Sequence, residues 1–122
     1  MALNLIVTNN PAVAKLPELV VSYHDETLMQ ILCRVRDLVH RHHQLITHPL
    51  AGSIKPNATP YKSIIVTAKP QEELDFMSLR LIEGAIQVAE GMLADKALRA
   101  MDEEMKADFA LIDLELIKSA LE

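Results

Sequence analysis

Short apolar runs that alternate with long stretches of helical periodicity constrain this chain more than any other feature. Leu3 to Val7 is such a run, and it ends in Thr8-Asn9-Asn10-Pro11. That pattern predicts a buried strand leading into a turn, with Asn10 as an N-cap and Pro11 at the first helical position. Pro17 stops the short element that begins there. Leu19 to Tyr23 is a second strand candidate. Asp25 is then expected to cap a helix reaching about Arg41. Its apolar residues Leu28, Ile31, Leu32, Val35, Leu38 and Val39 fall in an arc of about 120° at 100° per residue, the one-sided pattern of a helix on a core. Leu45-Ile46-Thr47 reads as a short strand, and Ser63-Ile64-Ile65-Val66-Thr67 as a buried one. Two helices are expected to follow, over Phe76–Ala94 and Lys96–Leu121, the second with a break near Ala107. No internal repeat, low-complexity tract or linker interrupts this order.

Strands alternating with helices predict an α/β fold: a small, mainly parallel sheet flanked by helices, with a helical C-terminal third. A chain of 122 residues is one domain by length, spanning 1–122. It can bury roughly two thirds of its unfolded surface without disulfides or metal. Aromatic residues make up only 3% of it, so the core is aliphatic and a base-stacking surface is not expected. The net charge of −5 argues against a nucleic-acid binder, which needs a basic face. The charge is uneven, however. Between Arg34 and Lys62 the only acid is Asp37, whereas the part after Glu72 is mostly acidic. A basic middle on an acidic chain suggests a local anion site. The single cysteine, Cys33, excludes an internal disulfide, fits a reducing cytoplasm and reads as a core thiol. No apolar run approaches membrane-spanning length, and the N-terminus lacks the basic region of a signal peptide. A cytoplasmic protein without membrane attachment is expected.

The least regular stretch, Thr47 to Lys62, holds three of the six prolines and the only glycine before residue 84. Pro49, Pro56 and Pro60 fix their own φ and push His48, Lys55 and Thr59 toward extended backbone. Gly52 permits a positive φ or the close approach of a partner. A solvated linker has no use for such stiffness; a loop that holds side chains in place does. Those side chains are mainly donors. Ser53, Lys55, Thr59, Tyr61, Lys62 and Ser63 could surround a carboxylate or phosphate, with Gly52 exposing backbone N–H groups. The spacing is not that of a P-loop, and no helix follows. The competing reading is an ordered surface loop whose polar groups bond its own backbone. Parallel sheets hold ligands beyond the carboxyl ends of their strands, so Asn9 and Asn10 are expected to join His43, His48, Ser53, Lys55, Tyr61 and Lys62 in one cleft there. His40, His42, His43 and His48 invite a metal, but His-x-His-His does not set two ligands at i and i+4 of a helix. No metal and no cofactor are expected. His43 or His48 is better suited to acid–base or hydrogen-bonding work, since imidazole titrates near neutrality.

The runs R-D-L-V-H at 36–40, T-H-P-L-A-G-S-I-K-P-N at 47–57 and T-P-Y-K-S at 59–63, with T-N-N-P at 8–11, resemble the GrdX family. Its members are small proteins encoded with the glycine reductase genes of amino-acid-fermenting anaerobes. The resemblance spans about residues 3 to 90, with the final helix weakly matched. It implies an accessory role near glycine, sarcosine or betaine reductase, with reductase components as partners, and supplies no mechanism. Members of that family usually carry Gly where this chain has His42. That suits a helix C-cap with positive φ, which His tolerates better than most residues, and makes His42 structural.

Three functions remain open on the sequence: a binding protein for a small anionic ligand at the 43–63 loop, an assembly factor that presents the loop to a reductase subunit, and a small hydrolase or transferase using His43 or His48. No nucleophile–base pair supports the last. A homodimer is also expected. On the helix from Phe76 the rows Leu79, Ile82, Ile86, Ala89, Leu93 and Met77, Leu81, Ala85, Val88, Met92 together span about 200°, wider than one sheet face requires. The final helix repeats the excess, and a two-fold contact is the commonest way to bury it.

Overall fold

The computed structural model describes residues 4–17, 19–52 and 54–121. Strand β1 (Asn4–Thr8) passes through Asn9 into α1 (Pro11–Ala14). The Asn10 side chain accepts from the Ala12 N–H at 3.0 Å and Pro11 occupies the first helical position, as expected. Strand β2 is shorter than the apolar run that announces it, covering Val21–Tyr23, because Leu19 and Val20 are exposed ahead of it. Helix α2 (Leu28–His40) starts two residues later than Asp25 would have it. Thr27 is the cap, since Gln30 three residues on completes a reciprocal capping box with it. The far end of α2 is a Schellman motif: His43 N–H bonds to Leu38 O and His42 N–H to Val39 O, both at 2.9 Å. His42 has φ 78° there, so the structural role expected of it holds.

After β3 (Ser63–Thr67), Asp75 caps α3 (Phe76–Asp95). The last helix, α4, covers Glu103–Leu121, so the expected helix from Lys96 is corrected, and no break occurs near Ala107. Lys96 is extended. The Asp102 carboxylate accepts the Met105 N–H at 2.9 Å, restarting the helix with two acids in its first turn.

The sheet is mixed, with order β2-β1-β3, β1 parallel to β2 and antiparallel to β3. The expectation of a mainly parallel sheet is therefore corrected, and the route of the chain gives the reason. α2 descends from the end of the sheet where β1 and β2 finish, here called the upper end. From the lower end the chain climbs along the outer edge of β3, where Leu45 pairs with Val66 and the Ile46 N–H bonds to Ile65 O. The expected strand over 45–47 is reduced to that one bridge. Residues 48–62 then carry the chain to the upper end, so β3 must run down. The apolar runs of β1 and β3 do report burial on both faces, but that pattern is blind to strand direction.

Alternation along the strands sends Val7, Ile64 and Val66 toward α2 and α3, where they meet Ile31, Leu32, Val35, Val39, Ile82, Ile86 and Ala89. Cys33 packs at the margin of this cluster. Ile6 and Ile65 face the other way, onto Val13 of α1 and Ile117 of α4. The result is three layers with α2 and α3 on one face and α1 and α4 on the other. No helix among the described residues is long and apolar enough to cross a membrane.

Candidate functional site

The upper end of β1 is built from Thr8, Asn9 and Asn10, all buried. Asn9 ties two segments together. Its amide donates to Glu26 O and to Pro60 O at 2.8 Å each, and its Oδ1 accepts the Lys62 N–H at 2.8 Å. It thus braces the β2–α2 turn against the end of the proline-rich loop. Asn10 works on the other face. Besides capping α1, its amide donates to Ala110 O and to Asp113 Oδ2 of α4, at 2.9 and 3.0 Å.

Asp113 is a buried carboxylate on the inner stripe of α4. Its Oδ2 also accepts the Ser63 hydroxyl proton at 2.7 Å. With that single hydrogen committed, the 2.6 Å contact between Thr8 Oγ1 and Ser63 Oγ must have Thr8 as donor, while Thr8 itself accepts the Asn10 N–H at 2.9 Å. The chain Asn10 N–H, Thr8, Ser63, Asp113 is a satisfied polar clasp that docks α4 on the sheet. Lys62 lies beside it, 8% exposed. Burial pushes its amine below the usual lysine range, and the Asp113 charge acts in the opposite sense.

The expected ligand set does not converge on one cleft. His43 sits at the lower end, its Nδ1 bonded to Thr67 O at 2.8 Å. His48 is exposed beyond the edge of β3, and its Nδ1 accepts the Leu50 N–H at 3.0 Å. Lys55 is exposed. Gly52 has φ 100° and lies under α4, where a Cβ would stand 2.8 Å from Leu116 Cδ1. Asn10 and Ser63 are consumed by the clasp. Ser53 lies outside the described residues. The basic middle is no free anion cluster either: Arg34 pairs with Glu26, and Arg36 and His40 approach Glu83 at 3.8 and 3.9 Å. Among the described residues no three His, Cys, Asp or Glu side chains group closely enough for a metal.

Asn9 and Tyr61 do share a cleft. It has a volume of about 630 Å³ and opens above the carboxyl ends of β1 and β2. One wall is the first turn of α2, with Thr27, Leu28 and Met29; the other is Pro56, Thr59, Pro60 and Tyr61. Leu93 from the end of α3, Leu98 from the crossing segment and Lys106 from α4 close it above. Asn57 fixes that roof by donating to Met92 O and Lys96 O at 3.1 Å each. Burial, and then the charge of Glu103, raises the Tyr61 hydroxyl above the usual tyrosine range, so it stays protonated. Asp25, Glu26 and Gln30 complete the polar lining, with no His or Cys among the lining residues. The arrangement can hold a small molecule between apolar walls, with a phenol, an ammonium and a helix N-terminus to orient it.

The cap at Thr27 is legible in Thr27-Leu28-Met29-Gln30, a capping-box pattern two residues beyond Asp25. Asp113 was legible as a charge in the middle of the stripe Phe109, Asp113, Ile117. The roof residues Leu98 and Lys106 carried no local signal, since they join the site only through the crossing over the sheet.

The family whose members are described as GrdX-like protein has a model that matches residues 5–122. No curated protein and no solved structure matches the chain.

Proposed function

We propose that this chain, which belongs to the GrdX-like family, is a small-ligand-binding accessory protein of the glycine reductase system. The ligand site is the cleft above β1 and β2. The observation that carries this reading is the construction of the cleft around Asn9, whose side chain is bonded to both walls. Its volume of about 630 Å³ suits a small ligand. Its position beyond the carboxyl ends of the parallel pair is where α/β sheets hold ligands. Walls braced against each other are preorganised, which lowers the ordering cost of binding.

The ligand class is a small carboxylate or acyl phosphate. Its charge would sit between the α2 N-terminus and Lys106, with its short apolar part against Leu28 and Leu93. Of the charges around it, Glu26 is held by Arg34, Lys106 also approaches Glu103 at 3.7 Å, and Asp25 is the opposing charge on the lining. Titration calorimetry with acetyl phosphate, phosphate and acetate tests this. At least one is expected to bind in the range of about micromolar to millimolar, and Lys106→Ala is expected to weaken it about tenfold, the loss of one charged contact. Silence from all three in the native protein would sink this reading.

It would also leave the assembly-factor reading ahead. That reading draws on Phe76, 73% exposed, and its neighbour Met77 at the lower end of α3, which give a reductase subunit an apolar contact. The hydrolase or transferase reading has the least support, because His43 and His48 each commit Nδ1 to backbone and stand away from the cleft. A second copy of the chain is the partner that best fits the outward side of α3.

A further inference from the structure

The large cleft is lined by both signs of charge and by more apolar surface than a bare anion can use. Asp25 and Glu26 stand on the β2–α2 turn, and Lys106 reaches the cleft from α4. Glu26 is held by Arg34, and Lys106 shares its charge with Glu103 at 3.7 Å. Asp25 is exposed, and no base among the described residues pairs with it. Burial first, and then the charges of Glu103 and Asp25, hold the Tyr61 hydroxyl above the usual tyrosine range. The potential beside Tyr61 is therefore negative, and a ligand that carries only an anionic group is repelled there. A ligand with a cationic group as well removes the mismatch, because Asp25 gains the partner it lacks. The rest of the lining is mainly apolar, with Leu28, Met29, Pro60, Leu93 and Leu98. Leu98 is 37% exposed although it belongs to the roof. The volume of about 630 Å³ falls well inside the range of roughly 300–1,000 Å³ that holds whole small molecules. Acetate would leave most of it to water.

We infer that the cleft takes a free α-amino acid with an aliphatic side chain, its carboxylate toward Lys106, its ammonium toward Asp25 and its side chain against Leu28, Leu93 and Leu98. The inference rests on the reading of this cleft as the ligand site and narrows what that site accepts. Each part of the ligand meets its chemical complement. The carboxylate keeps the place between Lys106 and the α2 N-terminus, where positive charge and backbone N–H groups are available. An ammonium brings three donors and no acceptor. The Asp25 carboxylate takes one of them, and the neutral Tyr61 oxygen has lone pairs for a second. The aliphatic side chain covers leucines that water otherwise wets, and each buried methylene adds about fourfold in affinity. A second carboxylate in place of that side chain would be stripped of water against apolar walls, without a base to receive it. The three contacts come from three segments that Asn9 and Asn57 hold together. The charges are therefore set apart before the ligand arrives, at no further ordering cost.

Titration calorimetry on the full native chain at pH 7 tests this with L-leucine and three analogues, each lacking one part. 4-Methylpentanoate lacks the ammonium, 3-methylbutylamine the carboxylate and glycine the side chain. Leucine is expected to bind about tenfold more tightly than each of them, the loss of one charged contact or of the apolar body. Asp25→Asn is expected to weaken leucine about tenfold without weakening 4-methylpentanoate, which is freed of a like charge. A damaged fold would weaken both. Silence from leucine overturns the inference, and so does any analogue that binds as tightly. An Asp25→Asn chain that keeps the native affinity for leucine also overturns it. Binding of acetate or acetyl phosphate with leucine silent would overturn this inference alone and leave an anion site. Silence from every one of these ligands would overturn the reading of the cleft as well.

Discussion

Lys62 sets a stability cost that pH can remove. Its folded-state value lies below 10.5, so between that value and 10.5 the unfolded chain binds more protons than the folded one. Stability therefore rises with pH across this window and bears the full penalty below it. Lys62→Met is expected to raise unfolding free energy by about 1 kcal/mol at pH 7, where the buried ammonium is replaced by a side chain of similar length. The gain should shrink toward zero as pH approaches 10.5. Tyr61 acts oppositely, since burial raises it from 10.0 and stability falls once the unfolded chain begins to lose that proton. It is present in both proteins and cancels in the difference. Urea denaturation of the two chains at pH 7 and pH 10.5 checks this, and a variant equally or less stable at pH 7 contradicts it. The residue scale is also where the sequence was read best. His42 at φ 78° stands where the family resemblance called for a glycine-like backbone, and Asn10 caps α1 as its neighbour Pro11 implies. It was read worst where a donor is used up by the fold. Asn10, Ser63 and His43 look like free binding groups in a linear chain. Only the fold shows that their partners are Asp113, Thr8 and a strand carbonyl.

Among the elements, α4 hangs on its polar clasp. Asp113 and Ile117 are its only buried residues, and just Ile6, Val13, Ile65 and Ile117 form the buried cluster beneath it. The opposite face of the sheet, under α2 and α3, is far more apolar. Asp113→Ala leaves the Ser63 hydroxyl and the Asn10 amide without their acceptor, at a cost of about 2–4 kcal/mol. The amides of α4 are expected to exchange with deuterium much faster in this variant, while those of α2 stay protected, because the second core does not depend on the clasp. Uniform acceleration over both helices would show that the sheet unfolds as one unit. Periodicity revealed that α2, α3 and α4 exist, since an amphipathic repeat is a local property. It misplaced the start of α4 because residues 96–102 have helical propensity but must cross from one face of the sheet to the other. It missed the direction of β3 because that depends on where a fifteen-residue loop, 48–62, delivers the chain.

For the whole molecule, the placement of α3 and α4 on opposite faces removes the simplest way of hiding their apolar excess, which is to pack them on each other. Phe76, Met77 and Val88 on α3 are exposed, at 73%, 59% and 45%. Their helix carries Gly84 and Gly91, with open space where a Cβ would be. At 100° per residue Met77, Gly84, Val88 and Gly91 share one side of the helix, about 135° round from the centre of the core stripe Ser78, Ile82, Ala85, Ile86, Ala89. Interior glycine costs a helix about 1 kcal/mol relative to alanine, and nothing inside this fold needs either one. An antiparallel two-fold pairing centred on Gly84 brings Met77 of each copy over Gly91 of the other, large against small at both ends. The charged neighbours on that side are few, with Arg80 at its border and Asp95 at its end. The expected mass by light scattering at micromolar concentration is therefore twice the 13.6 kDa of the chain. Gly84→Glu is expected to halve it, because two carboxylates would meet across the axis, and the circular dichroism should be unchanged because a Cβ at Gly84 meets nothing within its own chain. A wild-type mass of one chain would refute the pairing. A dimer that survives Gly84→Glu would move the interface to α4, where Leu111, Ile112 and Leu116 are the remaining exposed apolar row.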